Sequence, residues 1–118
     1  MSHSVAARGT CHCGRIEIVL SPFPPTVTEC NCSLCRRYGV LWAYVDADAV
    51  QLLPMESMTQ TYSWNGRHVD FHRCRHCGCL THWMPRDQGR SARGINARLF
   101  SEQVLAGAAR VFKDGASK

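Results

Sequence analysis

The sequence lacks any apolar stretch long enough for a membrane-spanning helix, so no membrane segment is expected. Its first residues, Met1 to Arg8, contain no apolar core of the secretory-signal kind, and the expectation is a cytoplasmic protein with reduced thiols. No run of five like charges occurs. The formal net charge of +5 is spread over separated arginines, without a basic tail. No motif interleaves aromatic and basic residues, which argues against a nucleic-acid partner; scattered arginines suit anionic small molecules better. Solenoid repeats and low-complexity segments are also missing. What remains is a chain of 118 residues, 45% apolar, which fits one domain over 1–118 with a small core. Residues 1–8 and 113–118 read as flexible tails.

Cysteine is what the chain has in excess. Eight cysteines fall in three clusters: Cys11-His12-Cys13, Cys30-Asn31-Cys32-Ser33-Leu34-Cys35 and Cys74-Arg75-His76-Cys77-Gly78-Cys79. Spacings this short suit thiolates converging on one soft metal ion, for which zinc is the expected occupant. Cys11, Cys13, Cys74 and Cys77 make a complete tetrahedral set from two turns distant in sequence, each followed by glycine (Gly14, Gly78). Cys30, Cys32 and Cys35 make a set of three, with one coordination position open. A closed site holds a fold together, whereas an open one can do chemistry.

Two readings of Cys79 stand at this point: it completes the triplet, which would then be structural, or it is a small buried residue beside the Cys74–Cys77 turn. His12 and His76 should point outward. His72 and His82 read equally as partners of a metal site or as ordinary strand histidines. Arg36 and Arg37 read equally as a carboxylate clamp or as a solvated helix face. Trp42, Tyr44, Tyr62 and Trp64 are expected in the core.

Strand signals dominate the rest. Arg15–Leu20 alternates, with Ile16 and Ile18 on one face. Thr26–Cys30 should be a strand delivering the triplet, Leu34–Tyr38 one helical turn ended by Gly39, and Val40–Val45 a buried strand. Val50–Leu53 is a weaker strand. Thr59–Trp64 and Arg67–His72 flank Asn65-Gly66, which predicts a hairpin with a two-residue type I′ turn. Leu80–Trp83 and Arg93–Leu99 are further strands, Phe100–Leu105 a short helix capped by Ser101, and Ala109–Phe112 a closing strand.

The segments Gly9-Thr-Cys-His-Cys-Gly14, Cys30-Asn-Cys-Ser-Leu-Cys-Arg-Arg-Tyr-Gly39 and Cys74-Arg-His-Cys-Gly78, in this order, resemble the glutathione-dependent formaldehyde-activating enzyme family, also called the centromere-protein-V family. The resemblance implies an all-β, Mss4-like fold of twisted sheets with two zinc ions at its turns. It implies Cys11, Cys13, Cys74 and Cys77 as the structural zinc site, and Cys30, Cys32 and Cys35 as the catalytic one. It further implies carbon–sulfur lyase or synthase chemistry, in which glutathione and formaldehyde give S-hydroxymethylglutathione. The chain departs from the family pattern at Arg73, where an aromatic residue commonly precedes the cysteine, at Cys79, and in Thr81-His82-Trp83 and the basic segment 86–98. Two rival readings are a non-catalytic two-zinc module that binds a protein or nucleic acid, and a metal-free thiol redox enzyme; the latter lacks the expected βαβ pattern. Oligomeric state is not legible in the sequence.

Overall fold

The computed structural model describes residues 6–53, 58–64, 69–87 and 89–117. The first half of the chain forms β1 (Ala7–Thr10), β2 (Glu17–Leu20), β3 (Thr26–Cys30), α1 (Ser33–Tyr38), β4 (Trp42–Asp46) and β5 (Val50–Leu53). The second half forms β6 (Thr59–Trp64), β7 (Val69–Cys74), β8 (Leu80–Pro85), β9 (Ala92–Asn96), α2 (Glu102–Ala106) and β10 (Ala109–Lys113). The fold is all-β, as expected. A small sheet has the order β1-β2-β5, and a larger one the order β10-β3-β4-β9-β8-β7-β6. Every pairing is antiparallel except β10 on β3, which is parallel. Among the described residues, no helix is long and apolar enough to cross a membrane.

Alternation along the strands sends side chains to two different layers. Ile16, Ile18 and Leu20 pack against Val27, Leu41, Ala43 and Ile95, which closes the smaller sheet onto one face of the larger. Burial of each large aliphatic here contributes about 1.5–3 kcal/mol. Trp42, one residue from Leu41 and Ala43, points to the opposite face, where it joins Phe71, Leu80, Cys30 and Cys35. The cysteine triplet therefore sits in this second layer.

Four expectations need correction. The hairpin pairs Trp64 with Val69, where a two-residue turn at Asn65-Gly66 would pair Trp64 with Arg67; the expected turn itself lies outside the described residues. The expected register and the observed one differ by an even step, which leaves every side chain on the same face, so alternation could not separate them. β9 stops at Asn96 instead of Leu99. Asn96 Oδ1 accepts from Arg98 N–H and Nδ2 donates to Leu80 O, and these bonds turn the chain into a 3-10 helix over Ala97–Leu99. The expected tails are also in part structured: Ala7 and Arg8 belong to β1, Lys113 ends β10 and Gly115–Ser117 form a 3-10 turn. Tyr44 and Tyr62, expected in the core, are 42% and 49% exposed on the face that carries Trp42. Trp42 is buried as expected, and the side chain of Trp64 lies outside the described residues.

Candidate functional site

The first cysteine cluster and the third meet in space. The Sγ atoms of Cys11, Cys13, Cys74 and Cys77 all lie within 4.8 Å of one another, in a set that could hold a metal ion. Cys11 and Cys13 are 3.6 Å apart and Cys13 and Cys74 3.7 Å. A tetrahedral zinc with bonds of about 2.3 Å needs sulfur atoms about 3.8 Å apart, so the set fits that ion.

The two turns are built alike. Gly14 N–H donates to Cys11 O and Gly78 N–H to Cys74 O, each at 3.0 Å, and both glycines have positive φ, 82° and 79°. A Cβ in that region strains the backbone, which is why glycine follows each second cysteine. Backbone N–H groups of Ile16 and His76 donate to the sulfurs of Cys11 and Cys74, each at 3.4 Å. Burial pushes the Cys11 thiol up to about 11. Burial would raise Cys77 as well, but the backbone N–H groups of Cys79 and Cys13 and the neighbouring thiols outweigh it and bring Cys77 down to about 5.

Cys79 is half-buried and packs with Cys77 against the core of the smaller sheet. Burial raises its thiol. It does not join the triplet, and among the described residues no fourth Cys, His, Asp or Glu does. His12 and His76 are exposed and belong to neither set.

The triplet is assembled by a strand end and a helix start. Cys30 closes β3, Cys32 is the N-cap of α1 and Cys35 is buried in its first turn. The three sulfurs lie within 4.8 Å of one another. Cys32 Sγ accepts from Cys35 N–H at 3.3 Å, the bond that a Ser or Asp cap would make. Gly39, with φ 66°, ends the helix, and its N–H donates to Cys35 O. Trp42 Nε1–H donates to Cys35 Sγ at 3.3 Å. Burial pushes Cys35 up to about 12 despite that bond, whereas Cys32 is lowered because hydrogen bonds from Cys35 and its neighbours outweigh burial.

A cavity of about 210 Å³ opens beside the triplet, lined by Glu29, Cys30, Cys35, Arg36, Val40 and Arg98. Of the two arginines after Cys35, Arg36 faces this cavity, while Arg37 turns back to donate to Ser33 O at 2.8 Å. Arg98, which no cysteine motif flags, is aimed by donating Nε–H to Gly39 O at 2.8 Å.

The C-terminal turn lies over the other side of the triplet. Asn31 Nδ2 donates to Asp114 Oδ1 and Asn31 Oδ1 accepts from Ala116 N–H, both at 2.9 Å. This clamp places Gly115 against Cys30 and Cys32.

Aromatic rings extend from the triplet across the open sheet face. Trp42 lies 6.0 Å from Phe71 and 6.5 Å from Trp83, and Tyr44 lies 6.1 Å from Trp83 between ring centroids. The Trp83 indole covers Gly94, where a Cβ would stand 1.8 Å from Nε1. Tyr44 keeps 42% of its surface exposed, and the burial of the remainder, followed by the charge of Cys30, Cys35 and Cys32, pushes its hydroxyl up to about 12. It is a neutral hydrogen-bond donor at ordinary pH. Sequence reasoning placed Tyr44 in the core because alternation does not reveal which sheet face stays uncovered.

The family model described as glutathione-dependent formaldehyde-activating enzyme matches residues 6–114. A solved Rhodobacter sphaeroides protein superposes with a TM-score of 0.69 at 26% identity, covering 88% of this chain and 99% of its own.

Proposed function

The chain belongs to the glutathione-dependent formaldehyde-activating enzyme family, and from that premise we propose that it makes or breaks the carbon–sulfur bond of a thiol–aldehyde adduct such as S-hydroxymethylglutathione. The observation that carries the reading is a set of three converging thiols with no fourth protein ligand among the described residues, beside a cavity with two arginines.

In this reading Cys11, Cys13, Cys74 and Cys77 hold a structural zinc, and Cys30, Cys32 and Cys35 hold a second. A zinc ion at the triplet supplies a positive charge that keeps a substrate thiol ionised or polarises a carbonyl. The chain supplies the rest. Arg36 and Arg98 receive the carboxylates of a glutathione-like thiol at the cavity mouth. Trp42 fixes Cys35 through its indole N–H, and the α1 N-terminus fixes Cys32. In the synthetic direction the thiolate sulfur adds to the aldehyde carbon, the carbonyl π pair moves to oxygen, and that oxygen takes one proton. The Tyr44 hydroxyl is on this side of the sheet, protonated, and suited to donate to that oxygen. Eight free thiols suit a reducing compartment, and we place the protein in the cytoplasm.

The test is steady-state turnover of S-hydroxymethylglutathione by zinc-replete wild type and Cys32→Ser. The reading expects at least a hundredfold loss in the variant, about 2.7 kcal/mol in barrier, with the four-cysteine metal retained. Equal turnover by the two proteins would defeat it.

A further inference from the structure

On the opposite face of the larger sheet, the smaller sheet leaves a groove uncovered. One part is a cavity of about 310 Å³ between Val50 and Leu52 of β5 and His82, Met84, Arg93 and Ile95 of β8 and β9. The other is a concavity of about 480 Å³ bordered by Met84, by Arg86, Arg90 and Arg93, and by Asp70 and Asp87. Met84 and Arg93 line both, so the two lie side by side as the halves of one groove with these side chains between them.

At its inner end His82 is 1% exposed. The Thr81 hydroxyl donates to His72 O at 3.1 Å, because a carbonyl can only accept. With the hydroxyl's one proton on His72 O, its oxygen accepts from His82 Nδ1–H, 2.8 Å away. Burial holds the ring neutral, with its pKa lowered to about 3. In that tautomer Nε2 carries a bare lone pair. Nε2 is buried, and no group among the described residues bonds to it. Such an unmatched acceptor is costly and calls for a donor from outside the chain.

At the outer end Arg86 pairs with Asp70 at 2.9 Å. Arg90 and Arg93 have no carboxylate within ion-pair distance among the described residues. The mouth thus carries three arginines against two aspartates, with Asp70 taken by Arg86 and Arg93 Nη1 also donating to Ala92 O at 2.9 Å; behind it lie apolar walls and one hydrogen-bond acceptor at depth. A buried acceptor in a cavity of this size is reached by a small molecule and not by a flat protein surface.

We propose that this groove binds a small organic anion whose apolar body carries a hydrogen-bond donor, of the aromatic hydroxy- or amino-carboxylate class. Its carboxylate sits at Arg90 and Arg93, its ring lies between Val50, Leu52 and Ile95, and its donor reaches His82 Nε2. The site is separate from the triplet, which lies across the sheet, and stands whether or not the triplet is catalytic.

The experiment uses zinc-replete, ¹⁵N-labelled protein titrated with indole-3-acetate, 4-hydroxyphenylacetate and phenylacetate, the last lacking the donor. Saturable binding of the two donor-bearing acids is expected, with movement of the His82 Nε2 resonance. Phenylacetate should bind roughly tenfold or more weakly, and Arg90→Ala with Arg93→Ala should weaken the donor-bearing acids by a similar factor with zinc content unchanged. No saturable shift at millimolar concentration, equal binding of all three acids, or a His82 resonance that stays fixed because water alone satisfies Nε2 would each overturn the proposal.

Discussion

Gly115 lies so close to Cys30 that a Cβ built on the glycine would stand 2.7 Å from the cysteine Sγ. Real Cβ atoms do not approach sulfur that closely, so any side chain at 115 must displace either the C-terminal turn or the triplet. The turn is held by Asn31, which sits between two triplet cysteines and bonds to both Asp114 and Ala116. The C-terminus and the triplet are one construction.

Gly115→Ala should therefore loosen metal at the triplet and leave the four-cysteine site intact. The expected result in a competition with a chromophoric chelator is roughly tenfold weaker retention of one zinc per chain, about 1.4 kcal/mol. Equal retention of both ions by the variant would show that the turn bears no load on Cys30.

Trp42→Phe removes the indole N–H that meets Cys35 Sγ at 3.3 Å while keeping an aromatic ring in the buried layer. A hydrogen bond to a thiolate is of the charge-assisted kind, so triplet affinity should fall by about 1.5–3 kcal/mol. In cobalt-substituted protein the sulfur-to-metal charge-transfer band should move as Cys35 becomes a stronger donor. An unchanged spectrum would mean that the N–H does not reach the ligand sulfur.

Cys13→Ser and Cys32→Ser should separate stability from activity. The four-cysteine set joins the turn after β1 to the turn between β7 and β8, and a structural zinc there is worth on the order of 10 kcal/mol. A lost ligand that releases the zinc costs a sum comparable with the net stability of an ordinary small domain, about 5–15 kcal/mol, so Cys13→Ser should be strongly destabilised. Cys32→Ser should retain a dispersed amide spectrum. A folded, thermally unchanged Cys13→Ser protein would contradict the structural assignment.

His82 should make the fold sensitive to acid. Its folded pKa is lowered from 6.5 to about 3, so between those values the unfolded chain binds more protons than the folded one. Stability from this group is complete above pH 6.5 and declines as pH falls toward 3. Urea unfolding at pH about 7 and about 5, on metal-replete wild type and His82→Gln, should show a smaller pH difference in the variant. Parallel curves would mean that His82 titrates normally.

Much of this architecture was legible in the chain, for local reasons. β3 ends at Cys30 because the strand pattern and the triplet meet there, α1 stops where Gly39 permits a left-handed cap, and Ser101 caps α2 by accepting from Val104 N–H. The convergence of Cys11 and Cys13 with Cys74 and Cys77 was one pairing that the count of ligands for a tetrahedral ion allows, and the family resemblance implied it; spacing alone does not say which clusters meet. What spacing could not reveal depends on tertiary placement. Arg98 reaches the triplet from beyond β9, Gly115 covers it from the C-terminus, and Tyr44 is exposed because the smaller sheet packs on the other face. The choice between two places for Cys79 was likewise settled by where β8 runs, which puts it beside Cys77.

The account rests on two thiolate centres, one complete and one open. Zinc per chain, measured together with the sulfur coordination number by X-ray absorption on protein free of added thiol, tests it most directly. The prediction is two zinc ions, one bound by the four sulfurs of Cys11, Cys13, Cys74 and Cys77, the other by the three of Cys30, Cys32 and Cys35 plus one lighter atom. A single zinc per chain, or an all-sulfur shell around both ions, would contradict it.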